Sequence, residues 1–163
     1  MRGALFSLLD PIVAGRPLGT VLEAGVCAVS NPRELEGRYG WKLRSLGPGC
    51  NLASLPFCDG SFGAILALES HRSALEIGHG LEEMARVLAR GGLLVLGAPV
   101  NRTVSRKSLI GLAERQSLRV LRASYIWPVH GRFPAALQAT WLRAGLNLPV
   151  GRSVILIGEK PLG

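Results

Sequence analysis

Two side chains able to move a proton, Glu69 and His71, stand two residues apart at the end of the apolar run GAILALE, residues 63–69. Open α/β sheets hold ligands beyond the carboxyl ends of their strands. A carboxylate and an imidazole placed there could take a proton from an oxygen or nitrogen nucleophile. A plainer alternative is that His71 and Arg72 lead into a helix capped by Ser73, with Glu76 closing a capping box. Asn101 and Arg102 follow a second apolar run, LLVLGAP (93–99), and either touch a substrate or sit in a solvated loop. Trp127 and His130 either cap a pocket or, for Trp127, pack into a core. Cys27, Cys50 and Cys58 form no CxxC pair, and His71, His79 and His130 are as widely scattered. Neither a disulfide framework nor a metal site is expected, and buried structural thiols are the reading of the cysteines.

The stretch VLEAGVCAV (21–29) reads as a strand running into a turn. Nucleotide-binding turns of α/β folds place glycine at alternate positions, because a missing side chain frees φ and lets a ligand approach the backbone. Here those positions hold Gly25, Cys27 and Val29, and the β-branched Val29 is stiff.

Positioning these residues requires an alternation of strands and helices. Arg2 and ALFSLL form a short amphipathic lead-in that Asp10-Pro11 cuts short. TVLEAGV (20–26) is the first strand. A helix comes next with Asn31 as N-cap, Pro32 at its first position and Glu34 closing a capping box, stopped by Gly37 and Gly40. WKLRSLG (41–47) alternates like a half-buried strand. After GAILALE, the residues Ile77, Leu81, Met84 and Leu88 recur at helical spacing, with Arg86 and Arg90 following Glu82 on the solvent face and Gly91 as the stop. LLVLGAP reads as a fully buried parallel strand. A helix over Ser105–Ser117 turns Leu109, Leu112, Ala113 and Gln116 to one side. LRVLRASYIWP (118–128) is a strand, Pro134 opens a short helix that Gly145 ends, and SVILIGEKP (153–161) is the last strand. The two late strands suggest an antiparallel pair at the sheet's edge.

The chain has 163 residues, 48% of them hydrophobic and 18% charged, which excludes a disordered chain and fits a single domain over residues 1–163. No apolar run is long enough to cross a bilayer, so no membrane partner and a cytoplasmic location are expected. The net charge of +8 makes an RNA partner conceivable, or reflects arginine used as a solubilising cation. Lys and Arg form no compact run and aromatics are only 6%, which leaves few platforms for stacking bases.

Residues 51–99 carry a resemblance. Leu55-Pro56-Phe57, Ser61-Phe62, Arg86-Val87-Leu88 and Gly91-Gly92 stand in the order and spacing of class I S-adenosylmethionine-dependent methyltransferases, and SVILIGEKP is similar to that family's last strand. The resemblance implies a three-layer α/β Rossmann-like methyltransferase fold. Its sheet would be mostly parallel with an antiparallel C-terminal edge strand. The interval from Gly25 to Leu55 is short by one strand-helix unit. S-adenosylmethionine is the implied cofactor, with Glu23, Gly25, Cys27, Asn51, Leu52 and Leu68 around it and His71 or Glu69 as the catalytic base. Several substitutions point to impaired binding. Cys27 and Val29 crowd the turn, no acidic residue ends the second strand to take the ribose hydroxyls, Asn51 replaces an acid near the adenine, and Gly63 replaces the aspartate of SFD. No DPPY-type or NPPY-type tetrapeptide comes after GAILALE, so a small-molecule acceptor is expected. The alternative is an inactive methyltransferase-fold scaffold, acting as a homodimer or with a partner subunit.

Overall fold

In this computed structural model the structure describes residues 2–24, 32–46, 50–68, 74–126 and 153–163. Six strands form one sheet in the order β2-β1-β3-β4-β6-β5. They are β1 (Thr20–Ala24), β2 (Lys42–Ser45), β3 (Phe62–Leu68), β4 (Leu88–Pro99), β5 (Arg119–Ile126) and β6 (Ser153–Glu159). The helices are α1 (Arg2–Val13), α2 (Pro32–Tyr39), α3 (Ala74–Val87) and α4 (Arg106–Arg115). β2, β1, β3 and β4 run parallel, so GAILALE and LLVLGAP lie side by side in one direction. The C-terminal end of the sheet is antiparallel: β6 pairs against both β4 and β5, with β5 outermost.

Alternation along the strands feeds two cores. Leu22, Ile65, Leu94 and Leu156 pack with Ile77, Leu81 and Met84 of α3 and with Leu109 and Ala113 of α4. Their neighbours Val21, Ala64, Leu66, Leu93 and Ile155 turn to the other face and meet Leu8, Leu9 and Val13 of α1 and Leu35 of α2. The result is three layers, helices on both faces of a largely parallel sheet. No helix among the described residues is long and apolar enough to cross a membrane.

Several sequence expectations change in detail. α1 continues through Pro11 to Val13, and its buried Leu8, Leu9 and Val13 make it part of the core and not a lead-in. Asp10, the residue before the proline, is held by Arg38 Nε at 3.1 Å and by the Tyr39 hydroxyl at 2.6 Å, which ties α1 to α2. α2 passes Gly37 and stops at Gly40, whose φ is +68° and whose N–H donates to the Glu36 carbonyl. β2 is mostly exposed, not half-buried. α3 ends at Val87 and not at Gly91, so Leu88 opens β4 in the core. Of the cysteines, Cys50 is half-buried and Cys58 exposed, because both sit in the turns before β3 and not in a strand or helix. Residues 50–61, which connect toward β3, hold turns and no helix, as the short interval requires.

The candidate functional site

The chain leaves β1 toward β2 on one side and returns to β3 on the other. That reversal falls at the carboxyl ends of β1 and β3, where Ala24 pairs with Ala67, and open α/β sheets hold ligands beyond such a point. Glu23, one residue short of the end of β1, is only 8% exposed. A buried carboxylate needs donors. Parallel register sets Ser45 opposite Glu23, and the Ser45 hydroxyl donates to Glu23 Oε2 at 2.8 Å. The Leu46 N–H donates to the Glu23 carbonyl, also at 2.8 Å, fastening the carboxyl ends of β1 and β2 together.

The other expected cofactor residues divide. Leu68 ends β3 and is buried on the α1/α2 face, whereas Leu52 is buried on the opposite face with Ala24 and Ala67. Asn51 is exposed, and its Oδ1 accepts the Ala53 N–H at 3.0 Å, closing its own turn. Gly25, Cys27, Glu69 and His71 lie outside the described residues, as do Val29, Asn31, Ser73, Trp127 and His130. Asn101 builds the entry to α4: its Oδ1 accepts the N–H groups of Thr103 and Val104 at 2.9 and 2.8 Å. Among the described residues no group of His, Cys, Asp and Glu is arranged to hold a metal.

The matched motifs join the turns ahead of β3 to α3. Arg86 is not a solvent-face residue paired with Glu82. Its guanidinium donates to Glu83 Oε1 at 2.8 Å, to the carbonyls of Phe57 and Leu55 at 2.9 and 3.1 Å, and to Asp59 Oδ1 at 2.6 Å. Glu83 accepts the Leu55 N–H at 2.8 Å. One arginine thus uses its fan of donors to pin the Leu-Pro-Phe turn to α3. The hydrogen bond from Arg86, then that from Leu55, hold the Glu83 carboxyl down at about 2, against an ordinary 4.5. Phe57 stands edge-on to Phe62 at 4.9 Å, with the Arg44 guanidinium 4.7 Å over its ring. Lys160 Nζ donates to the carbonyls of Ala85 and Leu88, both at 2.8 Å, where α3 ends. Ser45, Glu83 and Lys160 had no role in the sequence reading. The Glu83–Arg86 spacing of three was a usable helical signal, whereas Ser45 and Lys160 meet their partners only through strand register.

Residues 23–96 match the family described as methyltransferase domain. No curated protein matches the chain. A chain from the complex between the Haloferax volcanii Trm112 methyltransferase activator and the putative methyltransferase is 18% identical, with a TM-score of 0.67 over 96% of this chain and 90% of that one. The [4+2]-cyclase SpnF is 17% identical, TM-score 0.62, over 96% and 82%. Geranyl diphosphate C-methyltransferase from Streptomyces coelicolor A3(2), solved with Mg2+, geranyl diphosphate and S-adenosyl-L-homocysteine, is 13% identical, TM-score 0.65, over 96% and 80%. With its sheet order and its two helical layers, the chain has the Rossmann-like fold of these methyltransferase structures, and residues 23–96 match the methyltransferase domain family.

Proposed function

We propose that residues 1–163 act as a single methyltransferase-like unit that binds S-adenosylmethionine in a crevice above β1 and β3 and methylates a small-molecule acceptor in the cytoplasm. The observation that carries this reading is Glu23, a buried carboxylate at the point where the strand order reverses. Glu23, Gly25, Cys27 and Asn51 would hold the polar parts of the cofactor, and Leu52 and Leu68 back the crevice floor from either face. The bound cofactor supplies an electrophilic methyl group on a sulfonium. The chain's part is to align the acceptor for in-line attack and to remove its proton at His71 or Glu69.

Affinity is weakened in this reading. β2 ends in Ser45, already engaged by Glu23, and no carboxylate ends that strand to take the ribose hydroxyls. Losing such a contact costs about 1–3 kcal/mol, or ten- to a hundredfold in affinity. Calorimetric titration with S-adenosylmethionine tests the proposal, and no heat at millimolar ligand sinks it. If Cys27 and Val29 crowd the site, the double variant Cys27→Gly with Val29→Gly binds the cofactor more tightly than the parent. Equal affinity in a folded double variant puts the defect elsewhere.

A second reading is favoured by β2. It is a four-residue strand at the sheet's margin, mostly exposed, with Lys42 and Arg44 on it. Such an edge can add a strand from a second copy or from a partner subunit, and the scaffold would then act without catalysis. Light scattering separates this from the first reading: a strictly monomeric chain that binds the cofactor leaves the edge without a role.

A further inference from the structure

Half of the chain's net charge of +8 is concentrated between residues 102 and 119, where Arg102, Arg106, Lys107, Arg115 and Arg119 face only one carboxylate, Glu114. Arg119 is paired with Glu159, and the Arg106 Nε donates to the Ala123 carbonyl without an ion pair among the described residues. Arg102, Lys107 and Arg115 are exposed and make no ion pair among the described residues. A groove of about 450 Å³ runs along the outer side of α4, lined by Ser105, Lys107, Ser108, Gly111, Leu112 and Arg115. Its two cations flank a floor kept open by Gly111, beside which nothing lies within 4 Å of a Cβ position. Lys107 and Arg115 are eight residues apart, about 12 Å along the helix axis. Glu114 stands outside this lining.

We infer that this face of α4 is a docking surface for the sugar-phosphate backbone of a single-stranded nucleic acid. Cations at the two ends of a shallow, largely apolar groove are complementary to phosphates spaced along one strand, and binding would be driven by counterion release. An anionic membrane is the weaker fit: the groove's one large apolar residue, Leu112, is half-buried, so the face offers little to insert among acyl chains. No aromatic side chain among the described residues lines the groove, so the contact reads charge and not base identity. α4 starts just past the carboxyl end of β4, on the side of the sheet where the proposed crevice opens. Docking itself requires neither the cofactor nor an acceptor, and so stands apart from the methyl-transfer reading.

The experiment measures fluorescence anisotropy of labelled poly-uridine RNA with the full chain, without S-adenosylmethionine, over a series of salt concentrations. Phosphatidylcholine vesicles containing phosphatidylserine serve as a second probe. Lys107→Glu with Arg115→Glu should weaken RNA binding at least about tenfold at low salt. Lys107→Ala with Arg115→Ala should lower the salt slope by about 1.4, the loss of two phosphate contacts on a single strand. Lys42→Glu, at the far edge of the sheet, should leave both unchanged, and circular dichroism checks that each variant is folded. The inference is overturned if the parent chain does not bind RNA at low salt. It is equally overturned if Lys42→Glu weakens binding as much as the α4 variants, or if the α4 cations govern vesicle binding and not RNA binding. Because cofactor titration is a separate measurement, loss of one reading leaves the other standing.

Discussion

Gly63 shows how a single missing side chain can be structural where the family resemblance suggests a loss. A Cβ built there would stand 1.8 Å from the Leu18 carbonyl oxygen, so the segment entering β1 lies directly on β3. The aspartate of the related pattern therefore has no room here. Gly63→Ala should destabilise the chain by about 3 kcal/mol or prevent folding, as urea denaturation would report. Gly92 is excluded from change on similar grounds, 2.7 Å from the Ala89 carbonyl oxygen, whereas Gly91 is needed for its φ of +73°. Glu83 carries a testable charge. Its carboxyl titrates near 2 in the folded chain, below its ordinary 4.5. Its contribution to stability is therefore complete above the ordinary value and is lost as pH falls from there toward 2. Glu83→Gln keeps an acceptor for the Leu55 N–H but removes the charge. The variant should show a melting temperature that depends less on pH across that window than the parent's, and an unchanged pH dependence would mean the Arg86 contact contributes nothing.

At the scale of elements, the helix ends show which contacts are local and which are not. α4 is capped within its own sequence. Ser105 accepts the Ser108 N–H at 3.1 Å, and the Ser108 hydroxyl accepts the Ser105 N–H at 2.8 Å. At the other end Ser117 and Leu118 donate to Glu114 and Ala113, with Ser117 at φ +56°. A left-handed position suits glycine, so Ser117→Gly should raise stability by about 0.5–1 kcal/mol in chemical denaturation. The end of α3 depends on Lys160, 72 residues beyond Leu88, and Lys160→Met should cost about 1 kcal/mol by removing a cation from the carbonyls at the helix end. A melt indistinguishable from the parent's would show that water serves those carbonyls as well.

For the whole molecule, the two faces of one sheet are closed by helices from different parts of the chain, and ion pairs join distant ends. Glu159 on β6 is bound by Arg119 on β5 and by Arg16, at 2.6 Å, ahead of β1. Arg119 first, and then Arg16, hold its carboxyl below the usual range against the opposing effect of burial. Stability from this cluster is present at neutral pH and falls away in acid. Arg16→Ala should therefore narrow the difference in denaturation midpoint between neutral and acidic solution. At the same scale, the carboxyl ends of β1 and β3 come together by topology alone, since Glu23 and Leu66 become neighbours only in the assembled sheet.

The sequence alone determined the set of elements: apolar runs for β3, β4 and β6, a helical period for α3 and α4, and a family pattern across the middle of the chain. Those signals are local, because backbone geometry imposes the period of each element on its own residues. Their ends were less legible where a distant group decides. α3 stops at Val87 because Leu88 enters β4 and Lys160 takes the carbonyls at the helix end, and α1 continues past Pro11 because its apolar face is buried against the sheet. Within the site, Glu23 was legible only through the family resemblance, as the match to that pattern's acidic position. Its bond to Ser45, the clamp of Arg86 on residues 55–59, and the opposite faces of Leu52 and Leu68 were not. Only tertiary structure decides these, because strand register and layer packing bring together residues whose separation along the chain carries no local sign of contact.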